Sequence, residues 1–146
     1  MTTNLNPYLN FRGRAREALE FYGDVFGGTP TFSTFGEFGM SQDPAEQDQI
    51  MHGQLVTSSD FTLMAADVPA AMPFNEGGSI SVSLSGGPED KDELQGYWDK
   101  LSDGGNVFVP LELAPWGDWF GMCTDKVGVQ WLVNIGGDQS GQSSEA

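Results

Sequence analysis

The sequence predicts an α+β fold built from two βαβββ modules. A strand and helix that end at Gly27-Gly28 recur as a strand and helix that end at Gly104-Gly105. Placing Tyr22 on Trp98 gives a repeat of roughly 76 residues, which is too long for a solenoid unit. Each helix is also accompanied by four strand-like segments. Because each module's sheet needs a second surface to cover it, we expect the two sheets to pair around a cleft.

The first module begins with a strand, Tyr8–Phe11, and a helix that runs from Ala15 to Phe26. The helix has apolar residues at the i, i+3, i+4, i+7 spacing of a buried stripe: Ala15, Ala18, Leu19, Tyr22, Val25 and Phe26. If Leu9 and Phe11 pack under this helix, Tyr8 and Asn10 lie on the opposite face, toward the cleft.

Three further strands complete the first module. Thr31–Phe35 is followed by a polar, acidic segment, Gly36–Asp48, which we predict to be a surface loop. Ile50–Thr57 and Phe61–Ala65 then form a hairpin. The stretch Asp67–Gly78 contains prolines and glycines and is predicted to link the two modules.

The second module repeats this plan with a strand at Ser79–Leu84 and a helix from Glu89 to Leu101. Its three remaining strands are predicted at Asn106–Leu113, Phe120–Thr124 and Val129–Ile135. Residues 1–136 thus form a single domain, with modules at about 4–66 and 79–135. The Gly- and Ser-rich residues 137–146 are expected to be a disordered tail.

Composition narrows the partners and the compartment. A net charge of −15 argues against nucleic acid and anionic membranes as partners. The chain shows no signal peptide and no apolar stretch long enough to cross a membrane, and its single cysteine, Cys123, cannot form an internal disulfide. We therefore expect a cytoplasmic protein. Arg12, Arg14 and Arg16 are expected to pair with the protein's own acidic surface, and a bound anion is the alternative.

Four segments together resemble a known family: Asn6-Pro7-Tyr8-Leu9-Asn10-Phe11, Ala18-Leu19-Glu20-Phe21-Tyr22, Trp116-Gly117-Asp118-Trp119-Phe120-Gly121 and Asp125-Lys126-Val127-Gly128-Val129-Gln130-Trp131. In this order they resemble the PhnB-like branch of the vicinal oxygen chelate superfamily, which includes glyoxalase I, bleomycin-resistance proteins and extradiol dioxygenases. The resemblance covers the chain to about Ile135. It implies a glyoxalase/bleomycin-resistance-like fold, with two βαβββ modules around a cleft, and it suggests a homodimer.

Catalytic members of this superfamily hold a divalent metal with His, Gln or Glu side chains from the first and last strands of each module, and the metal polarises a substrate oxygen. The matching strands here carry mainly amides and hydroxyls: Asn6, Tyr8, Asn10, Ser79, Ser81, Ser83, Gln130 and Asn134. Such groups are poor ligands for zinc, nickel, iron or manganese. We therefore predict no cofactor. A divalent metal is the disfavoured alternative, with His52 as its weak candidate ligand.

Two residues are candidates for acid–base catalysis. His52, the only histidine, lies in the predicted strand Ile50–Thr57 and could exchange protons with a ligand. The alternative is that it hydrogen-bonds a neighbouring strand or a carboxylate. Asp118 lies between two tryptophans and is either an acid–base group or a residue that stabilises a turn.

Five residues are predicted to bind a ligand. Trp116 and Trp119 could form an apolar pocket wall or could plug the end of the sheets. Tyr8 and Asn10 are assigned to the cleft face of the first strand. Glu112 is the carboxylate candidate of the second module, with an edge position as the alternative.

Three functions remain open. The favoured one is a small-molecule-binding protein that keeps the cleft but lacks the usual metal ligands. The second is an enzyme, of lyase, isomerase or dioxygenase type, that uses His52, Asp118 or an atypical metal on a small oxygenated substrate. The third is a dimeric structural or interaction protein without a ligand. A methyltransferase activity is not favoured, because no loop typical of a methyl-donor site is evident.

Overall fold

The computed structural model describes residues 3–39, 42–74 and 79–137. The chain divides into two compact units, Met1–Glu76 and Gly77–Ala146. Each unit holds a four-stranded sheet and a helix of 12 residues. The predicted α+β class with two βαβββ modules is therefore confirmed. The predicted disordered tail lies outside the described residues, apart from Gly137.

The first unit has the strand order β1-β4-β3-β2, with β1 parallel to β4 and the other neighbours antiparallel. Helix α1 covers one face of this sheet, and all six residues of its predicted stripe are buried. The elements are β1 Tyr8–Phe11, α1 Ala15–Phe26, β2 Thr31–Thr34, α2 Phe35–Phe38, β3 Ile50–Val56 and β4 Thr62–Asp67.

The segment predicted as a loop contains a short helix, α2, and a 3₁₀ turn at Pro44–Glu46. The cause of α2 is a capping box. The Thr34 hydroxyl accepts the Glu37 N–H at 3.2 Å, and the Glu37 carboxylate accepts the Thr34 N–H at 2.8 Å. The predicted surface loop therefore contains two short helical turns that its polar composition did not indicate.

The second unit has the equivalent strand order β5-β8-β7-β6, with β5 parallel to β8. Helix α3 packs on its sheet through Leu94, Trp98 and Leu101, which are buried. Strand β5 begins at Val82, later than the predicted Ser79, and Ile80 is exposed. The elements are β5 Val82–Gly86, α3 Lys91–Ser102, β6 Asn106–Leu113, β7 Trp119–Thr124 and β8 Gln130–Ile135.

A buried aspartate organises the backbone of each unit. Asp67 ends β4, and its carboxylate accepts the N–H groups of Gly13, Ala15 and Ile50 at 2.8, 3.0 and 2.9 Å. These bonds tie the start of α1 and the start of β3 to the end of β4. The sequence assigned Asp67 to the linker, and the structure corrects this to the last residue of a strand.

In the second unit, Asp125 accepts the N–H groups of Val127 and Val129 at 2.9 and 3.0 Å and the indole N–H of Trp131 at 2.8 Å. A buried carboxylate must be hydrogen-bonded to offset its lost hydration, and three donors provide this. The segment from Asp125 to Trp131 is therefore held together at Asp125, which closes the turn at Val127 and Val129 and also binds the Trp131 indole.

Candidate functional site

The candidate site lies on the sheet face of the first unit that is turned away from α1, which we call the distal face. Side chains alternate along a strand, and Phe11, Gly53 and Ala65 are buried on the α1 side. The register places Tyr8 beside Met64, and Met64 beside Gln54. The alternating partners define the distal face as Tyr8, Asn10, Thr31, Ser33, His52, Gln54, Val56, Thr62, Met64 and Ala66.

Tyr8 and His52 form a hydrogen-bonded pair across this face. The Tyr8 hydroxyl lies 3.1 Å from His52 Nδ1, and the ring centroids are 5.7 Å apart. Their strands, β1 and β3, are separated by β4, so the two side chains reach over the middle strand. Tyr8 is 47% exposed and His52 is half-buried, so both remain accessible to a small molecule.

The pair can present a donor to a ligand in either neutral arrangement. When the Tyr8 hydroxyl donates to Nδ1, the Nε2–H of His52 is left to donate elsewhere. When Nδ1–H donates to the tyrosine oxygen, the Tyr8 hydroxyl is left to donate and Nε2 can accept. The pair can therefore bind either an acceptor or a donor group, and it can pass a proton between its two ends.

The other residues of the distal face carry no charge. They supply amides at Asn10 and Gln54, hydroxyls at Thr31, Ser33 and Thr62, and apolar groups at Val56, Met64 and Ala66. In a chain with a net charge of −15, this face is therefore locally uncharged.

The second unit has an equivalent distal face, turned away from α3, and its character is aromatic and apolar. Phe120 and Met122 on β7 and Leu132 and Asn134 on β8 share it. Trp116, which is 57% exposed, lies edge-on to Phe120 with ring centroids 5.6 Å apart. Trp116 is thus an exposed ring beside Phe120, and its role in a pocket wall stays a prediction.

Glu112 lies opposite Phe120 in the β6–β7 ladder. It is exposed, and β6 is an edge strand. Of the two positions that the sequence left open for this carboxylate, the structure shows the edge position.

Trp119 lies on the other side of the same sheet. It pairs with Ile135, which is fully buried, and the Lys91 ammonium at the start of α3 lies 3.8 Å from its ring centroid. A cation over an indole ring is an attractive contact. The structure therefore does not bring Trp116 and Trp119 together on one surface.

Asp118 lies in the turn between β6 and β7 and is hydrogen-bonded by that turn and by the end of β8. Its carboxylate accepts the Asn134 amide N–H at 3.3 Å and the Gly137 N–H at 3.0 Å, and its carbonyl accepts the Ala114 N–H at 2.7 Å. These contacts match the turn role that the sequence left open for Asp118. His52 and Asp118 belong to different units.

The arginines near the start of α1 have defined partners. Arg14 pairs with Glu17 at 3.1 Å, as expected for an acidic surface. Arg12 donates to the carbonyls of Pro69 and Met72 and lies 5.0 Å from the Phe74 ring centroid. Arg16 lies 4.7 Å from the Phe32 ring centroid. The expected acidic partner is thus observed for Arg14, whereas Arg12 and Arg16 contact aromatic rings.

The residues at the metal-ligand positions implied by the family do not fit a metal. The neighbouring pairs on the first and last strands of each unit are Tyr8–Met64, Asn10–Ala66, Ser83–Leu132 and Ser85–Asn134. Within residues 3–39, 42–74 and 79–137, no three His, Cys, Asp or Glu side chains are grouped so that they could hold an ion.

Cys123 is buried beneath α3. Burial, with a smaller contribution from the negative charge of Asp125, raises the pKa of its thiol to about 11. A thiol is a poor nucleophile when it stays protonated. Cys123 is therefore a buried core residue whose thiol is poorly suited to act as a nucleophile.

Two four-stranded sheets, each with a parallel outer pair and one covering helix, define an α+β protein of the glyoxalase/bleomycin-resistance class. Residues 3–134 match the family described as 3-demethylubiquinone-9 3-methyltransferase. The chain belongs to this family, in the PhnB-like branch that its motifs resemble. Among the described helices, none has both the length and the apolar character needed to span a bilayer.

Solved structures support the fold. The protein PA1353 from Pseudomonas aeruginosa is 39% identical, with a TM-score of 0.77 over 94% of this chain and 100% of that one. The PhnB protein from Bacillus cereus is 24% identical, with a TM-score of 0.68 over 91% and 99%. A glyoxylase/bleomycin resistance protein/dioxygenase domain from Frankia sp. EAN1pec is 13% identical, with a TM-score of 0.63 over 97% and 96%, and supports the fold alone.

Proposed function

We propose that this protein, which lacks the usual metal ligands of the superfamily, binds a small molecule. The distal face of the first unit is the proposed binding surface. The observation that carries the proposal is the Tyr8–His52 hydrogen bond of 3.1 Å on an accessible, uncharged sheet face. Small-molecule sites combine apolar surface with a few placed polar groups. Met64 and Val56 supply the apolar surface here, and Asn10 and Gln54 supply amides beside the pair.

The second unit carries a separate surface of a different kind. Trp116 and Phe120 present a rigid aromatic pair with 57% of Trp116 exposed. Aromatic rings bury large areas with little loss of side-chain freedom. For the distal face of the first unit, we expect ligands with an apolar body that packs on Met64 and Val56 and at least one oxygen that can hydrogen-bond to the Tyr8–His52 pair.

A thermal-shift screen of small aromatic oxygen compounds tests this function on the full chain without a histidine tag. A ligand present at about 100 times its dissociation constant stabilises the folded state by about 2.7 kcal/mol. Tyr8→Phe and Asn10→Ala should reduce the shift given by a hit. Tyr97→Phe is the matched control, because it removes a tyrosine hydroxyl that bonds Glu93 on α3 at 2.6 Å. A screen without hits, or hits that Tyr8→Phe and Asn10→Ala leave unchanged, would contradict the proposal.

The second candidate is an enzyme in which His52 acts as a general acid or base on a small oxygenated substrate. It is favoured by the same pair, since a histidine bonded to a tyrosine hydroxyl can exchange a proton at Nε2. Turnover of any hit compound that is lost in His52→Gln but retained in Asp118→Asn would favour this candidate. Stoichiometric transition metal in untagged protein, lost in His52→Ala, would instead overturn the metal-free proposal.

A homodimer is also part of the proposal. Strand β6 is an edge strand on which Val107, Phe108, Val109 and Leu113 are exposed, and such an edge is prone to association. Light scattering on the purified chain tests this point, and a strictly monomeric particle would contradict it. A constant dimer that binds no compound in the screen would favour the third function, a structural or interaction protein.

A further inference from the structure

We propose that the Tyr8–His52 pair binds an oxygen of an organic anion, a carboxylate or a phenolate, and that binding is coupled to the uptake of one proton by His52. This inference rests on the proposed function, because it names the ligand class and the pH regulation of the same site. It follows from the number of hydrogen-bond donors that the pair can offer and from the charges that surround it.

Protonation of His52 raises the number of hydrogen-bond donors that the Tyr8–His52 pair has left for a ligand from one to two. In either neutral arrangement one N–H or O–H of the pair is already used between Tyr8 and His52 at 3.1 Å, and one remains for a ligand. When His52 is protonated, Nδ1–H donates to the tyrosine oxygen. The Tyr8 hydroxyl and the Nε2–H are then both available, and the ring carries a positive charge. Because the Nε2–H points away from the side of the ring that contacts Tyr8, an anionic oxygen beside Tyr8 accepts from the tyrosine hydroxyl, and bonds that involve charged groups are the stronger ones.

The groups around His52 make this charge decisive. On the four strands of the sheet, the distal-face residues beside it are Tyr8 and Asn10 from β1, Thr31 and Ser33 from β2, Gln54 and Val56 from β3, and Thr62, Met64 and Ala66 from β4. None of these side chains is an acid, a lysine or an arginine. Arg12 and Arg16 contact Phe74 and Phe32, and Asp67 accepts three backbone N–H groups where β4 meets α1 and β3. His52 is therefore the group of this face that can become a cation.

The direction of the pH effect follows from this arrangement. The net charge of −15 repels an anion, so an anion gains most where a local cation opposes that field. Because the anion binds the protonated form of His52, its affinity is highest at low pH and falls as the ring loses its proton. Linkage is reciprocal. The bound anion must therefore increase the affinity of the ring for a proton by the same factor by which the proton increases the affinity for the anion. A neutral ligand has no such coupling.

Benzoate and benzamide are the probes, because they have nearly the same shape and differ in charge. Calorimetric titrations from about pH 5.5 to about pH 8.5 cover the interval in which histidine changes charge. Benzoate affinity should fall by about 5- to 150-fold across this interval, the usual range for coupled sites. Titrations in two buffers that differ in ionisation heat should show net proton uptake with benzoate and none with benzamide.

The single histidine allows a direct readout. In the untagged chain the imidazole NMR signals belong to His52 without assignment, and saturating benzoate should move their titration midpoint upward by roughly 1–2 pH units, which corresponds to that coupling. His52→Gln should bind benzoate with no pH dependence. Tyr8→Phe should keep the proton uptake and lose about tenfold in affinity, the worth of one charged hydrogen bond. Tyr97→Phe should behave like the unmodified chain.

Three results would overturn the inference: no benzoate binding at about pH 5.5, where histidine is largely charged; benzoate binding without proton uptake; or the same pH dependence in His52→Gln. If neutral compounds still stabilise the chain in a manner sensitive to Tyr8→Phe, the proposed function stands and only the anion coupling fails. If no compound of either kind binds, both fail.

Discussion

The two units share one skeleton and differ on their distal faces. The turn between β3 and β4 and the turn between β7 and β8 have the same bonds: Thr57 N–H to Phe61 carbonyl and Asp125 N–H to Val129 carbonyl, both at 2.8 Å. Asp60 and Gly128 both have positive φ, at 65° and 96°. When the two turns are aligned in sequence, His52 in the first unit corresponds to Phe120 in the second. The parallel strand pairs make Tyr8 correspond to Ser83.

The helix-facing side of each sheet obeys a common packing constraint. Gly53 and Gly121 occupy equivalent positions beneath α1 and α3. A Cβ at Gly53 would lie 2.7 Å from Leu19 Cδ1, and one at Gly121 would lie 2.9 Å from both the Leu111 Cα and Trp98 Cη2. The helix approaches closely at both positions, and at Gly121 the Leu111 backbone of β6 adds to the crowding. The distal faces have no such shared constraint. Where they differ, the first unit carries the titratable pair and the second carries aromatic rings.

The largest expected effect tests how each turn is held. Asp125→Ala removes the acceptor of two backbone N–H groups and of the Trp131 indole. We expect a loss of about 3 kcal/mol or more in the free energy of unfolding, since each buried unsatisfied donor costs about 1–3 kcal/mol. Its counterpart Thr57→Ala removes one bond, to the Phe61 N–H at 3.0 Å, and should cost about 1 kcal/mol. Urea unfolding measures both, and equal losses would contradict the different roles of the two residues.

The second effect concerns Cys123, whose counterpart in the first unit is Leu55. Because the pKa of its thiol is raised from 9.0 to about 11, the thiolate fraction at pH 8 is about one-hundredth of that in the unfolded chain. Iodoacetamide should therefore label the folded chain at least about a hundredfold more slowly than the urea-unfolded chain. The raised pKa also means that Cys123 stabilises the fold below about pH 9 and that this contribution is lost as pH rises to about 11. Labelling at equal rates in both states would contradict the buried thiol.

Adding a methyl group beneath either helix should have an intermediate effect. Gly53→Ala places a Cβ inside contact distance of Leu19, and Gly121→Ala places one inside contact distance of Trp98 and of the Leu111 backbone. Such overpacking costs about 1–3 kcal/mol. Gly96→Ala is the matched control, because no atom lies within 4 Å of its added Cβ on the exposed side of α3. This control should stabilise the chain by about 0.5–1 kcal/mol, the usual gain for alanine within a helix. Similar losses at all three glycines would show that crowding is not the cause.

Local patterns were enough to predict the skeleton but not the site. The stripe of α1 and the turns follow from spacing, so these elements were predicted within a few residues. The Tyr8–His52 bond joins residues 44 positions apart across a strand that enters the sheet later in the chain. The sequence also did not determine on which side of the sheet Trp119 lies, because the turn before β7 decides which residues of that strand face α3. Met64 and Gln54 joined the candidate site only when the register was known.

The smallest expected effect decides whether the Tyr8–His52 pair is structural or functional. Tyr8→Phe removes a hydrogen bond from a side chain that is 47% exposed, so water replaces the lost partner and the free energy of unfolding should fall by less than about 1 kcal/mol. Ser83→Ala, the equivalent change in the second unit, should be near neutral. If Tyr8→Phe cost several kcal/mol in chemical denaturation without ligand, the bond would serve to join β1 to β3. A small cost combined with a clear loss of ligand affinity means that the pair contributes to binding rather than to folding. The distal faces would then differ because the first unit carries the binding pair and the second does not.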